Sequence, residues 1–324
     1  MSSTEKKRYK EQTVSSVHVE ALKKYYGAVH ALDGLNLDVE AGTIFGFLGP
    51  NGAGKTTTLR ILTGLARPTS GKAQVAGVDI LRGGGNLSRH IGHLPEEPAF
   101  YPWMTPPEFL DYLGRLYGLS SGERTARIKE LLTLVRMEDV SRRRIAGFSR
   151  GMRQRLGVAA AILHHPEVLF LDEPASALDP AGRKEVLDLI GNLRGQCTVI
   201  MSTHILADVE RVCDVIGIIN KGRMLVQSPR QELLEHYAIP AFEVEADDHD
   251  ALARWAENLR RLPWVAAVAP RNGAIRITVR DVQTAKRELL ALAVHSGLSL
   301  NRFEEVRPSL EDVFLQLVGL ENVA

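Results

Sequence analysis

No stretch of the 324 residues approaches the ~18 consecutive apolar residues that a bilayer-spanning helix requires. Cysteine is almost missing: Cys197 and Cys213 are the only two, and they lack metal-type spacing. That usage fits two packed thiols in a reducing, cytosolic compartment. Neither sign of charge is in excess, since 40 Lys+Arg stand against 39 Asp+Glu for a formal net charge of +1. Global electrostatics therefore give no ground for a nucleic-acid partner or for binding to an anionic membrane surface. The one dense basic run, Arg142 to Arg144, reads as a solvated loop. Met1–Lys10 has no apolar core and is not a secretory signal. If this protein works at a membrane, another polypeptide has to hold it there.

What remains is the composition of an ordinary globular protein, 44% hydrophobic and 24% charged, with a length that suggests two domains. Residues 1–16 are polar and read as a disordered lead-in. Strand-like patterns follow at Val17–Tyr25 and Leu35–Val39, and the apolar run Thr43–Leu48 reads as a buried strand feeding a glycine loop. A helix over Thr56–Thr63 and a strand over Gly71–Ile80 come next, then the flexible connector Gly83-Gly84-Gly85. Two amphipathic helices near Pro106–Tyr117 and Gly122–Val135 form a helical insert at about 100–147. Alternation then resumes: helices near Met152–His164, Gly182–Arg194 and Leu206–Arg211 and strands at Val168–Leu171, Cys197–Ser202 and Val215–Asn220. That order predicts an α/β domain over 17–236 with a mostly parallel sheet covered on both faces.

The tail has a different rhythm. Strands at Phe242–Ala246, Val265–Ala269, Ile275–Arg280 and Leu298–Phe303 alternate with helices at Asp250–Arg261 and Val282–His295, and Arg271-Asn272-Gly273 reads as a hairpin turn. This is βαββαβ, a ferredoxin-like α+β module over 240–320. A last helix, Ser309–Val318, opens on a near capping box. No catalytic constellation falls in the tail, so it reads as an accessory or regulatory module.

Two motifs carry chemistry. Gly49-Pro50-Asn51-Gly52-Ala53-Gly54-Lys55-Thr56 matches the phosphate-loop pattern, with Thr57 next in line. Its glycines let backbone N–H groups turn around phosphates, Lys55 reaches the β- and γ-phosphates, and the Thr56 hydroxyl can bind Mg²⁺. The helix that starts there also points its positive end at the phosphates. Leu169-Phe170-Leu171-Asp172-Glu173 is the matching acidic strand. Asp172, at the end of a buried parallel strand, can hold Mg²⁺, and Glu173 is placed to orient or deprotonate an attacking water.

A short Ser-x-Gly loop about twenty residues before that acidic strand completes the order. Residues 17–230 resemble the nucleotide-binding subunits of ABC transporters throughout. The resemblance implies ATP with Mg²⁺ and a homodimer with shared active sites. Ser149 and Gly151 of one copy would cap ATP held by Lys55, Thr56 and Asp172 of the other. It implies adenine stacking on Tyr26, with Tyr25 as the alternative. His204 would be the residue that hydrogen-bonds the γ-phosphate, and Ser176 to Asp179 the dimer-contacting loop. The usual Leu-Ser-Gly-Gly-Gln reads Phe148-Ser149-Arg150-Gly151-Met152 here, so the first glycine and the glutamine are replaced. Where the family has a metal-binding glutamine, this chain has Glu96, with Glu97 beside it as the alternative ligand. The tail, ending in Ser309-Leu310-Glu311-Asp312-Val313-Phe314, resembles the bacterial drug- and lipid-exporter group of ABC-2 type. The implied function is ATP hydrolysis on the inner face of the cell membrane, driving a separate integral membrane permease docked on the helical insert. The rival readings are a soluble ABC ATPase of DNA repair or translation and an ATP-holding regulator without turnover.

Overall fold

In a computed structural model of the chain, residues 15–82, 86–176, 178–236, 240–271, 273–306 and 310–321 are described. The chain divides into two units, Met1–Arg230 and Gln231–Ala324. Residues 1–14 of the expected lead-in, the connector 83–85, Ala177 of the expected dimer-contacting loop, Asn272 of the hairpin turn and Ser309 of the capping box lie outside the described residues.

The first unit opens with two long strands, β1 (Ser15–Tyr26) and β2 (Val29–Glu40), paired antiparallel. Ser15 and Ser16 therefore belong to a strand and not to a disordered lead-in. β3 (Ile44–Leu48) is buried at every position, as a strand covered on both faces must be. It runs into α1 (Lys55–Leu62). The stretch expected as one strand over 71–80 is two, β4 (Ser70–Val75) and β5 (Val78–Asp79). The chain reverses between them at Ala76 and Gly77, both with positive φ (49° and 74°). These strands form an antiparallel sheet in the order β2-β1-β4-β5, so the parallel sheet expected from the alternation is one of two.

α2 (Leu87–His90) leads into β6 (Ile91–Leu94). The helical insert contributes α3 (Pro106–Leu116) and α4 (Ser121–Leu134). Each starts where the sequence supplies a reciprocal cap. Glu108 accepts from the Thr105 N–H at 2.8 Å, and Glu123 accepts from the Ser120 N–H at 2.7 Å. α5 (Arg150–Ala161) and β7 (Val168–Asp172) follow, then α6 (Pro180–Gly191), β8 (Thr198–Thr203), α7 (Leu206–Val212) and β9 (Val215–Asn220). β10 (Arg223–Pro229), unread in the sequence, pairs antiparallel with β9. The second sheet runs β10-β9-β3-β8-β7-β6, parallel from β9 to β6. α8 (Arg230–His236) begins at the last residue of this unit. Both thiols are buried. Burial pushes Cys197 up to about 11 and Cys213 upward as well.

The second unit contains β11 (Ala241–Ala246), α9 (His249–Leu259), β12 (Val265–Arg271), β13 (Ala274–Val279), α10 (Val282–His295), β14 (Leu300–Val306) and α11 (Leu310–Glu321). Its sheet order, β12-β13-β11-β14, is antiparallel throughout. The first and third strands of βαββαβ are central, as in a ferredoxin-like module. Asp248 and Asp281 cap α9 and α10 by accepting backbone N–H groups at 2.9–3.1 Å.

One packing contact in the first unit fixes the position of α5. A Cβ built on Gly92 would lie 2.2 Å from the Ala161 carbonyl oxygen, and one on Gly157 would lie 2.4 Å from Leu94 Cδ1. At Gly92 β6 and α5 touch backbone to backbone, too closely for a side chain, and at Gly157 the Leu94 side chain would have to move. Gly92→Ala forces backbone apart from backbone and is expected to cost about 1–3 kcal/mol of stability. Urea unfolding reads this directly, and an unchanged midpoint would show that the two elements do not meet at this spacing.

Candidate nucleotide site

Three parallel strands end side by side. Asp172 of β7 stands opposite Ser202 of β8, and Leu48 of β3 opposite Thr203. The loop leaving β3 needs glycine for steric reasons. A Cβ on Gly49 would lie 2.4 Å from the Ile219 carbonyl oxygen, and Gly54, at φ +110°, would place one 2.6 Å from that of Ala31. The loop wraps Lys55, whose ammonium donates to the carbonyls of Gly49 (2.7 Å) and Pro50 (3.2 Å) and lies 3.8 Å from Glu173 Oε1. Only 6% of Lys55 is exposed. Burial lowers its pKa, and the nearby carboxylates of Glu173, Asp172 and Glu96 oppose that shift. A desolvated ammonium held by neutral carbonyls gains strongly from an incoming anion.

Asp172 is buried and held from two sides. Its Oδ1 accepts from the Thr56 hydroxyl at 3.1 Å and from the Ser202 hydroxyl at 2.5 Å. Glu173 has a left-handed backbone, φ +49°, which costs a non-glycine residue about 1–3 kcal/mol and is found where function requires it. Its N–H donates to Ser202 O (3.1 Å) and Oγ (3.2 Å), which holds the turn. The Glu173 carboxylate lies 3.0 Å from His204 Nδ1 by both oxygens. A carboxylate only accepts, so Nδ1 carries the proton of this contact, and a phosphate contact through Nε2 needs a proton there as well.

These groups border a cleft of about 450 Å³, lined by residues 51–57, Val29, His30, Ala31, Glu96, Glu173 and His204. Of the two neighbouring acids, Glu96 lines this cleft and Glu97 does not. Gly49 and Pro50 contribute through the carbonyls that hold Lys55, and Asp172 through Thr56. Tyr26 sits outside the lining, half exposed (50%), with Lys24 Nζ 4.7 Å from its ring centre. Tyr25 stacks on His30 at 4.1 Å and donates to Asp33 at 3.2 Å, so its ring is committed within the protein. Ser149 and Gly151 are not part of the cleft. Ser149 caps α5 by accepting from the Met152 N–H at 3.2 Å, which leaves its own hydroxyl proton free to donate. Among the described residues no group of three or more His, Cys, Asp or Glu could hold a metal alone. The Thr56–Asp172 pair fits Mg²⁺ differently, as a cation bound by one or two protein oxygens together with phosphate oxygens and water.

Residues 32–176 match the family described as ABC transporter, and residues 229–318 match the C-terminal domain of DrrA1-3-like ATP-binding proteins. The chain is 41% identical over 300 residues to the uncharacterized ABC transporter ATP-binding protein YxlF of Bacillus subtilis (strain 168), covering 93% of this chain and 98% of YxlF. It is 35% identical over 313 residues to the bacitracin transport ATP-binding protein BcrA of Bacillus licheniformis, covering 92% and 95% of the two. A solved structure described as the ATP binding subunit of an ABC transporter superposes with TM-score 0.62 at 31% identity, over 68% of this chain and 92% of that one. The fold is that of an ABC ATPase domain. The chain belongs to the ABC transporter ATP-binding proteins, in the exporter group that carries a DrrA-like C-terminal domain.

Ser202, Val29, His30 and Ala31 were not read from the sequence. A serine inside an apolar strand carries no local signal, and Val29 to Ala31 reach the cleft only because β2 passes the glycine loop. Ser202 orients Asp172 and anchors Glu173, as an outer partner orients a metal ligand. Ser202→Ala is expected to lower ATP turnover about 10-fold, within the 10–100-fold range for such partners. Steady-state hydrolysis with an unchanged melting temperature checks this, and a wild-type rate would remove Ser202 from the machinery.

Proposed function

We propose that two copies of this chain close over two ATP molecules, each held by the glycine loop of one copy and capped by Ser149 and Gly151 of the other. The observation that carries this reading is an incomplete convergence. Lys55, Glu173, His204 and the Thr56–Asp172 pair meet at one sheet edge, while the Ser149 loop lies outside their cleft. Within each site Lys55 and His204 hold γ-phosphate oxygens, and Glu173 accepts a proton from the attacking water. Thr56, Asp172 and Glu96 are the oxygens that would hold Mg²⁺. That ion, when bound, neutralises charge developing on the phosphates. Tyr26 is the adenine-stacking residue in this reading, because it is half exposed while the Tyr25 ring is stacked on His30.

Closure and reopening of the dimer move a separate integral membrane permease, docked on the helical insert around α3 and α4. Among the described residues no helix is long and apolar enough to cross a membrane. The similarity to ATP-binding subunits of transporters supports a peripheral subunit on the inner face of the cell membrane. The ferredoxin-like unit is an accessory or regulatory domain. No nucleic-acid partner is proposed, given the net charge of +1. Near full-length identity to transport subunits favours transport over a role in DNA repair or translation.

Glu173→Gln is expected to keep ATP binding and slow turnover by about 10²–10⁴-fold, the usual contribution of a general base. The variant should also accumulate an ATP-bound dimer in gel filtration. Hydrolysis at the normal rate would overturn the role given to Glu173.

A further inference from the structure

Glu96 also borders a second cavity, of about 260 Å³, where its neighbours are Glu97, Pro98, Arg150, Arg153 and Gln154. This juxtaposition follows from how α5 lies against the chain. Arg150, Gln154, Gly157 and Ala161 are spaced i, i+4, i+7 and i+11, which places them on one helix face. Ala161 meets Gly92, and Gly157 meets Leu94. Gln154, 1% exposed, donates its Nε2 hydrogen to the Glu96 carbonyl at 2.9 Å. One turn further towards the helix start, the next residue on this face is Arg150. The register of a glycine-tight contact thus carries the Arg150 guanidinium to the segment that bears Glu96.

The charges in this cavity are unevenly committed. Arg153 donates to the Phe148 carbonyl at 3.0 Å. Among the described residues no hydrogen bond or ion pair fixes the Arg150 guanidinium or the Glu96 and Glu97 carboxylates. Arg150 therefore acts on Glu96 as a nearby positive field and not as a fixed bridge. Glu96 needs such a field, because it lines a cleft meant for polyphosphate together with the buried Glu173, and the ammonium in that lining, Lys55, is shared with Glu173 and Asp172. A bare carboxylate there repels an incoming nucleotide.

We propose that Arg150 is the counter-charge of Glu96: a positioning residue that allows a carboxylate to stand at the nucleotide cleft without repelling ATP, and that ties nucleotide affinity to the start of α5. This rests on the reading of the cleft as the Mg-ATP site. Arg150 sits between Ser149 and Gly151, so the helix end offered to a second copy and the chain's own nucleotide share one electrostatic pair.

A double-mutant cycle read by equilibrium binding of the non-hydrolysable analogue Mg-AMP-PNP tests this, at protein concentrations where light scattering shows monomer. Arg150→Gln is expected to weaken binding about 5-fold, or about 1 kcal/mol, and Arg150→Lys to keep near-normal affinity. In a Glu96→Gln chain, Arg150→Gln is expected to change affinity less than about 2-fold, because the charge it compensates is gone. Raising salt from about 0.1 M to 1 M should erase the difference, as screening shortens to about 3 Å. An equal loss in both backgrounds, no loss at all, or a loss confined to the dimer would overturn the pairing. The metal reading fails separately. If Mg²⁺ titrations of the native and Glu96→Gln chains superimpose, Glu96 leaves the metal set, and the cycle alone still decides the role of Arg150.

Discussion

The nucleotide chemistry of this chain depends on one constraint, the level ending of three buried parallel strands. β3, β8 and β7 are neighbours, with Leu48 opposite Thr203 and Asp172 opposite Ser202. Glu173 and His204 follow directly on two of those strand ends, and Lys55 follows the glycine loop that leaves the third, so pairing between strands converts three distant stretches of sequence into one site. A one-residue slip of β7 would turn Asp172 to the other face of its sheet and remove it from the Thr56 and Ser202 hydroxyls. The strained backbone of Glu173 is held by the same serine. Burial completes the effect: Lys55, Asp172 and Glu173 are all below 9% exposed, where charges interact more strongly than in water.

A second constraint ties this site to the rest of the domain. α5 lies on β6 at Gly92, where backbone meets backbone, and at Gly157, where Leu94 packs closely. That contact fixes the 95–98 segment relative to the start of α5, through the Gln154 bond to Glu96. Two residues that depart from the family pattern, Glu96 and Arg150, consequently face one cavity. Neither departure has an evident reason when read alone along the chain. In the pairing we propose, each compensates the charge of the other across that cavity.

The parts of the molecule with local signals were legible in the sequence. Continuous apolar runs marked β3, β7 and β8 because a strand covered on both faces must be apolar at each position. The glycine loop, Asp172 and Glu173 were legible because phosphate and metal chemistry demand those residue types next to such strands. The βαββαβ tail was legible from its alternation. What escaped depends on non-local pairing. The strand over Val17–Tyr25 was read through Ala21, a left-handed residue (φ +48°) inside β1, but its antiparallel pairing with β2 and β4 was not. β10 has no fully buried position and exists through its pairing with β9. Tyr26 stood first and Tyr25 second for the stacking role, and the His30 ring on Tyr25 is a contact between β1 and β2 that no local signal announces. Glu96 likewise stood first and Glu97 second, and which of them lines the cleft is a matter of tertiary packing.

The most direct test of the shared-site proposal is the rate of ATP hydrolysis per chain as protein is diluted. With Ser149 and Gly151 outside the cleft of their own chain, activity per chain should rise with concentration from near zero to a plateau, following the dimer fraction seen by light scattering. A rate per chain that stays constant down to concentrations where only monomer is present would contradict the shared site, and with it the proposed mechanism of coupling.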